Sequence, residues 1–111
     1  MDLKNERIVE IGGILTGKIR VSIIRKLLQG PGIVTDIVDE LQLNQAVVSK
    51  QLGILKNYGI IKCCPSGRCR EYCISDPEMM RTLLDSMNKM AEICEKTAKL
   101  QNREINGGKN A

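Results

Sequence analysis

The sequence predicts a mainly α-helical fold with one small β-hairpin. Three observations carry that prediction. Apolar residues recur at helical spacing in four consecutive segments between residues 3 and 57. The period then shortens to that of strands around a Pro-Ser-Gly turn. A last segment returns to alternating steps of four and three residues, the pattern of a helix with a packing seam. The element order is therefore helix, helix, helix, helix, strand, strand, helix.

Each element has its own local cause. Leu3, Ile8, Ile11 and Leu15 mark a short first helix, about 3–13, with a loose end at Gly12-Gly13. Ile19, Ile23, Ile24, Leu27 and Leu28 form one apolar face of a second helix over residues 18–29. Lys18, Arg25 and Lys26 lie off that face. Gly30-Pro31-Gly32 stops it. Val34, Ile37, Val38 and Leu41 repeat the pattern over 34–41. Gln42-Leu43-Asn44 is a short break, and Asn44 suits the N-cap of a helix from Gln45 to Asn57 with Val48, Leu52 and Leu55 inward. Gly59 ends it. Ile60–Cys64 and Cys69–Ile74 read as two strands about Pro65-Ser66-Gly67-Arg68. Pro77, with acids beside it, opens the last helix over about 77–102. Met80, Leu84, Met87, Ala91, Cys94 and Ala98 make its seam, widened by Leu83 and Met90. Residues 105–111 are expected to form a disordered tail. One domain over 1–104 fits the length.

Two short helices over 34–57 joined by a three-residue break, followed by a hairpin over 60–74, describe a winged helix-turn-helix. Charge is placed to match. From Asn44 to Arg70 there are five basic residues, Lys50, Lys56, Lys62, Arg68 and Arg70, and no acidic one. The preceding helix carries Asp36, Asp39 and Glu40. Positive charge is thus concentrated on the second helix of the pair and on the hairpin, where phosphates would be met. Asn44, Gln45, Ser49, Lys50 and Gln51 lie outward and suit base edges: Asn and Gln match adenine, Lys guanine. Ala46, Lys56, Lys18 and Arg20 complete the expected DNA-facing set, with Arg70 on the hairpin and Arg68 at its tip placed for a flanking minor groove. An ordinary solvated helix face is the competing reading of these polar residues, and the whole helix-turn-helix-wing layout weighs against it.

Residues 15–74 resemble the ArsR family of dimeric winged-helix repressors. Arg20 to Leu28 followed by Gly30-Pro31 is similar to the family's second helix. Val48-Ser49-Lys50-Gln51-Leu52 through Ile61 is similar to its recognition helix and first wing strand, and Gly67-Arg68 and Tyr72-Cys73-Ile74 fall at its wing turn and second strand. Three departures stand out: Lys18-Ile19 where Pro-Thr is common, Gln51 where histidine is common, and Gln42 where glycine is common. The resemblance implies a cytoplasmic homodimer, paired through the first and last helices, that binds a double-stranded operator and is released by a metal ion, a metalloid or an oxidant.

The 111 residues include five cysteines and no histidine. Soft thiolates suit As(III), Cd, Pb, Zn or Cu(I). With Ser66-Gly67 as a two-residue loop, the ladder sets Cys64 opposite Cys69 and Cys63 opposite Arg70. Cys64 and Cys69 are then the favoured pair, Cys63 a third ligand in an irregular wing, and Cys73 two pairs further along the same face as Cys64. Arg68 and Arg70 would lower the thiol pKa values. Packing explains cysteine in a strand equally well, and both readings stay open. Cys94 on the last helix lies on the dimer seam, as interface packing or an intersubunit disulfide.

Composition excludes other classes. No histidine is present to serve as general base, and no glycine-rich phosphate loop occurs, so the chain is not expected to be an enzyme. Two aromatic residues, both tyrosine, give little surface for stacking single-stranded bases. No apolar run is long enough for a spanning helix, and residues 1–7 lack a signal-peptide core, so the expected location is cytoplasmic. The alternative from another class is a winged-helix module for protein–protein contact without effector sensing.

Overall fold

Helical spacing, capping and glycine punctuation set the elements in order. The structure, a computed structural model, describes residues 2–64 and 71–110, with side chains to residue 103. It divides into two compact units, residues 1–77 and 78–111.

In the first unit, α1 (Leu3–Leu15) is capped by Asp2, whose carboxylate accepts from the Asn5 N–H at 3.0 Å. Gly12-Gly13 does not loosen it; both glycines sit inside the helix. Helix α2 (Lys18–Leu28) buries Ile23, Ile24 and Leu27 and stops before Gly30, at φ 149°. Helix α3 (Val34–Leu41) buries Ile37 and is tied to α2 by a Lys26–Glu40 ion pair at 2.5 Å. Its C-cap, Gln42, is left-handed at φ 52°, ψ 47°. That is the only non-glycine residue with positive φ among the described residues. Helix α4 (Gln45–Asn57) turns Val48, Leu52 and Leu55 into the core and ends at Gly59, φ 74°. The core is wholly aliphatic, built from these residues with Leu15, Ile61 and Ile74. It is well suited to fix how α4 sits on α2 and α3, because close-packed side chains resist displacement.

The hairpin is shorter than the sequence suggests. Strands β1 (Ile61–Cys63) and β2 (Tyr72–Ile74) pair antiparallel, with Ile61 opposite Ile74, Lys62 opposite Cys73 and Cys63 opposite Tyr72. The Cys64 N–H donates to the Glu71 carbonyl at 2.8 Å and continues that register. The expected ladder is therefore displaced by two residues: Cys64 faces Glu71, not Cys69. Two further contacts seat the hairpin. Gly32 exchanges backbone hydrogen bonds with Tyr72 (3.0 and 2.8 Å), and the Ser75 hydroxyl donates to the Gly59 carbonyl at 2.6 Å.

The second unit is α5, whose helix begins at Pro77 and runs to Asn110. It passes beyond residue 102 and takes in most of the stretch expected to be a tail. Met80 and Leu84 of the expected seam are buried, while Met87, Ala91, Cys94 and Ala98 are exposed. No helix among the described residues is long and apolar enough to cross a membrane.

Candidate nucleic-acid interface

The exposed face of α4 is what its inward face leaves over. With Val48, Leu52 and Leu55 buried, Gln45, Ala46, Ser49, Lys50 and Lys56 are exposed, and no carboxylate lies among them. Asn44 is exposed too, but its side chain is already engaged. It caps α4 by accepting the Ala46 N–H at 2.7 Å. The cap satisfies one of the helix's orphan donors and fixes where the polar face begins.

Helix α2 contributes the second edge. Its N-cap is Gly17, with no side-chain cap, so its first turn presents backbone N–H groups and the exposed Lys18. Gly17, Lys18, Ile19, Arg20 and Gln51 line an open cleft of about 240 Å³ between the start of α2 and α4.

Arg20 is not the free phosphate contact that its charge suggests. Its Nε donates to the Ile14 carbonyl at 2.6 Å, Nη2 to the Gly13 carbonyl at 3.4 Å, and Nη1 to the Gln51 Oε1 at 2.8 Å. The guanidinium thus caps the carbonyl end of α1, where a cation is favoured, and holds Gln51, one of the α4 side chains expected to match adenine. Sequence reasoning missed this contact, which joins residues 31 apart. Its one trace is Gly17: a Cβ there would lie 2.5 Å from Nη2.

The thiols regroup with the hairpin register. Cys64 and Glu71 face each other, Lys62 and Cys73 form the next-but-one pair, and all four share one face of the ladder. Cys73 is therefore the diagonal neighbour of Cys64. Partial burial, then the neighbouring Cys73 thiol and the Glu71 carboxylate, push the Cys64 thiol from 9.0 up to about 11, against a lowering by Lys62. This opposes the lowering expected in the wing. Cys63 pairs with Tyr72 and points to the other face. Arg68, Cys69 and Arg70 lie outside the described residues. Among the described residues, no group of three or more Cys, Asp or Glu side chains is placed to hold a metal ion.

Comparison with known proteins agrees with this fold. Residues 17–62 match the family model described as bacterial regulatory protein, arsR family. The transcriptional regulator NmtR of Mycobacterium tuberculosis is 33% identical over 64 residues, covering 58% of this chain and 53% of that protein. The transcriptional repressor SmtB of the same species is 31% identical over 78 residues, 70% of this chain and 58% of that one. The chain thus spans about half the length of the curated relatives it matches. Among solved structures, Rv0081 of M. tuberculosis superposes with a TM-score of 0.73 at 19% identity, over 88% of this chain and 99% of that one. A homodimeric winged helix-turn-helix DNA-binding domain from Mycobacterium bovis gives 0.66 at 21% identity, over 86% and 92%.

Proposed function

We propose that this chain, whose residues 17–62 match the model of the arsR family of bacterial regulatory proteins, is a homodimeric transcriptional repressor acting in the cytoplasm on a double-stranded DNA operator. The observation that carries this reading is the carboxylate-free exposed face of α4, with Gln45, Ser49, Lys50 and Lys56, beside the uncapped start of α2 with Lys18. A dimer presents two such faces to successive major grooves of a pseudo-palindromic site about one turn apart. Lys18 and the first-turn N–H groups of α2 meet phosphates and set the register; Ser49 and Lys50 meet base edges.

Release is by a thiol-reactive effector at the wing. Cys64 and Cys73 support this part, as two diagonally neighbouring thiols on one face of the hairpin. Their donor set fits a soft ion or metalloid held by two thiolates, and it does not by itself build the four-ligand site of structural zinc. The high pKa of Cys64 keeps its proton on at neutral pH, so capture of a metal releases that proton. A wing held in a different arrangement shifts the dimer population away from the DNA-matching form.

The test is a titration of randomised and selected duplexes at two salt concentrations, with arsenite, cadmium, zinc and a peroxide added in turn. The expected results are a steep fall of affinity with salt and a roughly tenfold weakening by Lys50→Ala. Loss of operator affinity with an effector, abolished in Cys64→Ser, supports the wing site. No affinity for any duplex at low salt would overturn the reading in favour of a protein–protein module. Operator affinity untouched by every effector removes the sensing part alone.

A further inference from the structure

We propose that Gln51 reads its base pair as a hydrogen-bond donor only, because Arg20 fixes which way its amide faces; Arg20 is the positioning residue for that contact. The inference rests on the DNA-binding reading above and adds what kind of base edge this position accepts.

The argument starts from donor and acceptor inventory. A guanidinium has N–H donors and no acceptor. The Gln51 atom 2.8 Å from Arg20 Nη1 is therefore its carbonyl Oε1, and the amide Nε2 is turned away from the guanidinium. Arg20 is not free to let go by a simple rotation. Its Nε is bound to the Ile14 carbonyl at 2.6 Å and its Nη2 lies 3.4 Å from the Gly13 carbonyl, so the fork is fixed from the α1 side. Gly17 leaves the space that the fork occupies. Gln51 itself is half-buried and lines the open cleft with Gly17, Lys18 and Ile19, so an outward-facing Nε2 has a route to a ligand.

An unconstrained glutamine recognises adenine with both amide atoms, accepting from N6 and donating to N7. That pairing needs Oε1 and Nε2 to face the base together. Here Oε1 is committed to Arg20. What Gln51 offers is an N–H for one acceptor: a purine N7, guanine O6 or thymine O4. The pair under Gln51 is then chosen by an acceptor in the major groove, with no contribution from the adenine N6 amino group.

The experiment selects binding sites from a randomised duplex pool with the full chain. The base pair under Gln51 is the one whose preference Gln51→Ala erases. At that pair, an analogue lacking the acceptor atom is expected to weaken wild-type binding about three- to tenfold, the worth of one hydrogen bond. Where the preferred base is adenine, removal of its N6 amino group is expected to change nothing. Arg20→Met frees the amide and is expected to create or sharpen an adenine preference there, now dependent on N6. Circular dichroism checks that this variant is folded. Gln51→Glu keeps an acceptor for Arg20 without an outward donor; it is expected to lose the base preference and keep the fold, so the proposal is decided even if Arg20→Met unfolds. A wild-type preference that depends on adenine N6 would overturn the inference. So would a Gln51→Ala protein with every base preference intact. Failure of wild type to bind any duplex sinks the DNA-binding reading first, and is distinguishable for that reason.

Discussion

At the scale of single residues, Arg20 and Cys64 both behave against the expectation drawn from their residue type. Arg20 is charged and near the basic face, yet three of its donors are engaged inside the fold, by Ile14, Gly13 and Gln51. Gly17 is the residue that permits this. Its backbone, at φ −69° and ψ 129°, is open to any residue, so alanine there is not strained and gains a little by stiffening the unfolded chain. The added Cβ would still sit 2.5 Å from the guanidinium and expel it. Hydrogen bonds to a charged group contribute about 1.5–3 kcal/mol each, and water restores part of that once the side chain swings out. Gly17→Ala is therefore expected to lower unfolding stability by about 1 kcal/mol, measured by urea denaturation, with Arg20→Met showing no further loss when Gly17 is already alanine. Additive losses would show that the clash is not with the clamp. Cys64 gives a second expectation at this scale. With its pKa near 11 and Cys94 exposed on α5, iodoacetamide at pH 8 should label Cys94 first and Cys64 slowly, and the Cys64 rate should climb steeply as pH rises through 9 to 11. The sign for stability is the same: the folded thiol holds its proton while the unfolded one ionises near 9.0, so this group's contribution is intact below pH 9 and is lost as pH rises towards 11. A Cys64 that labels as fast as Cys94 at pH 8 contradicts the raised pKa.

At the scale of elements, the helices follow closely from apolar spacing and from their caps. Helices α3 and α4 begin and end where the sequence pattern places them, because Asn44 and Gly59 act through local chemistry that a sequence displays. Features that local chemistry does not display are less legible. The expected hairpin register rests on a two-residue Ser66-Gly67 loop, and a shift of two residues keeps every side chain on its face, so alternation does not reveal it. The Arg20–Gln51 bond depends on how α1, α2 and α4 pack, which no single segment encodes. Gln42 lies between these cases. A glycine is common at this position in the family that the chain resembles, and the structure gives the reason: the turn between α3 and α4 needs a left-handed residue, and Gln42 occupies it at φ 52°. A side chain in that region costs about 1–2 kcal/mol, while glycine loses about 0.5–1 kcal/mol in backbone entropy. Gln42→Gly is thus expected to raise unfolding stability by a few tenths to about 1 kcal/mol, read as a higher urea midpoint with an unchanged slope. A fall in stability would mean that the Gln42 side chain makes a compensating contact.

At the scale of the whole molecule, each unit carries apolar surface that a lone chain leaves in water. On α1, Leu3, Ile8 and Val9 are 61, 70 and 62% exposed. On α5, Met79, Met90, Ile93 and Leu100 are exposed, from 53 to 62%, beside Met87 at 44%. Of the seam expected from the sequence, Met80 and Leu84 are buried already, while Met87, Ala91, Cys94 and Ala98 are exposed. The large apolar side chains left exposed along the helix include Met87 and Met90, which the expected seam already names, and add Ile93 and Leu100 as groups a second copy could cover. Such a stripe on a helix rich in charged residues elsewhere is the signature of a helix that pairs. In the proposed dimer, Ile93 belongs to the contact and Met80 does not. Ile93→Glu puts one charge into each half of the interface and forfeits the burial of two isoleucines, about 1.5–3 kcal/mol for each. The dimer dissociation constant is expected to rise at least 100-fold, turning a sedimentation boundary of dimer into monomer at micromolar concentration. Because Ile93 is exposed in the single chain and glutamate is a good helix former, far-ultraviolet circular dichroism should be unchanged. Affinity for a two-half-site operator should fall with dimerisation, while affinity for an isolated half-site stays the same, since α4 and the start of α2 are untouched. An Ile93→Glu protein that still sediments as a dimer would place the contact on another face.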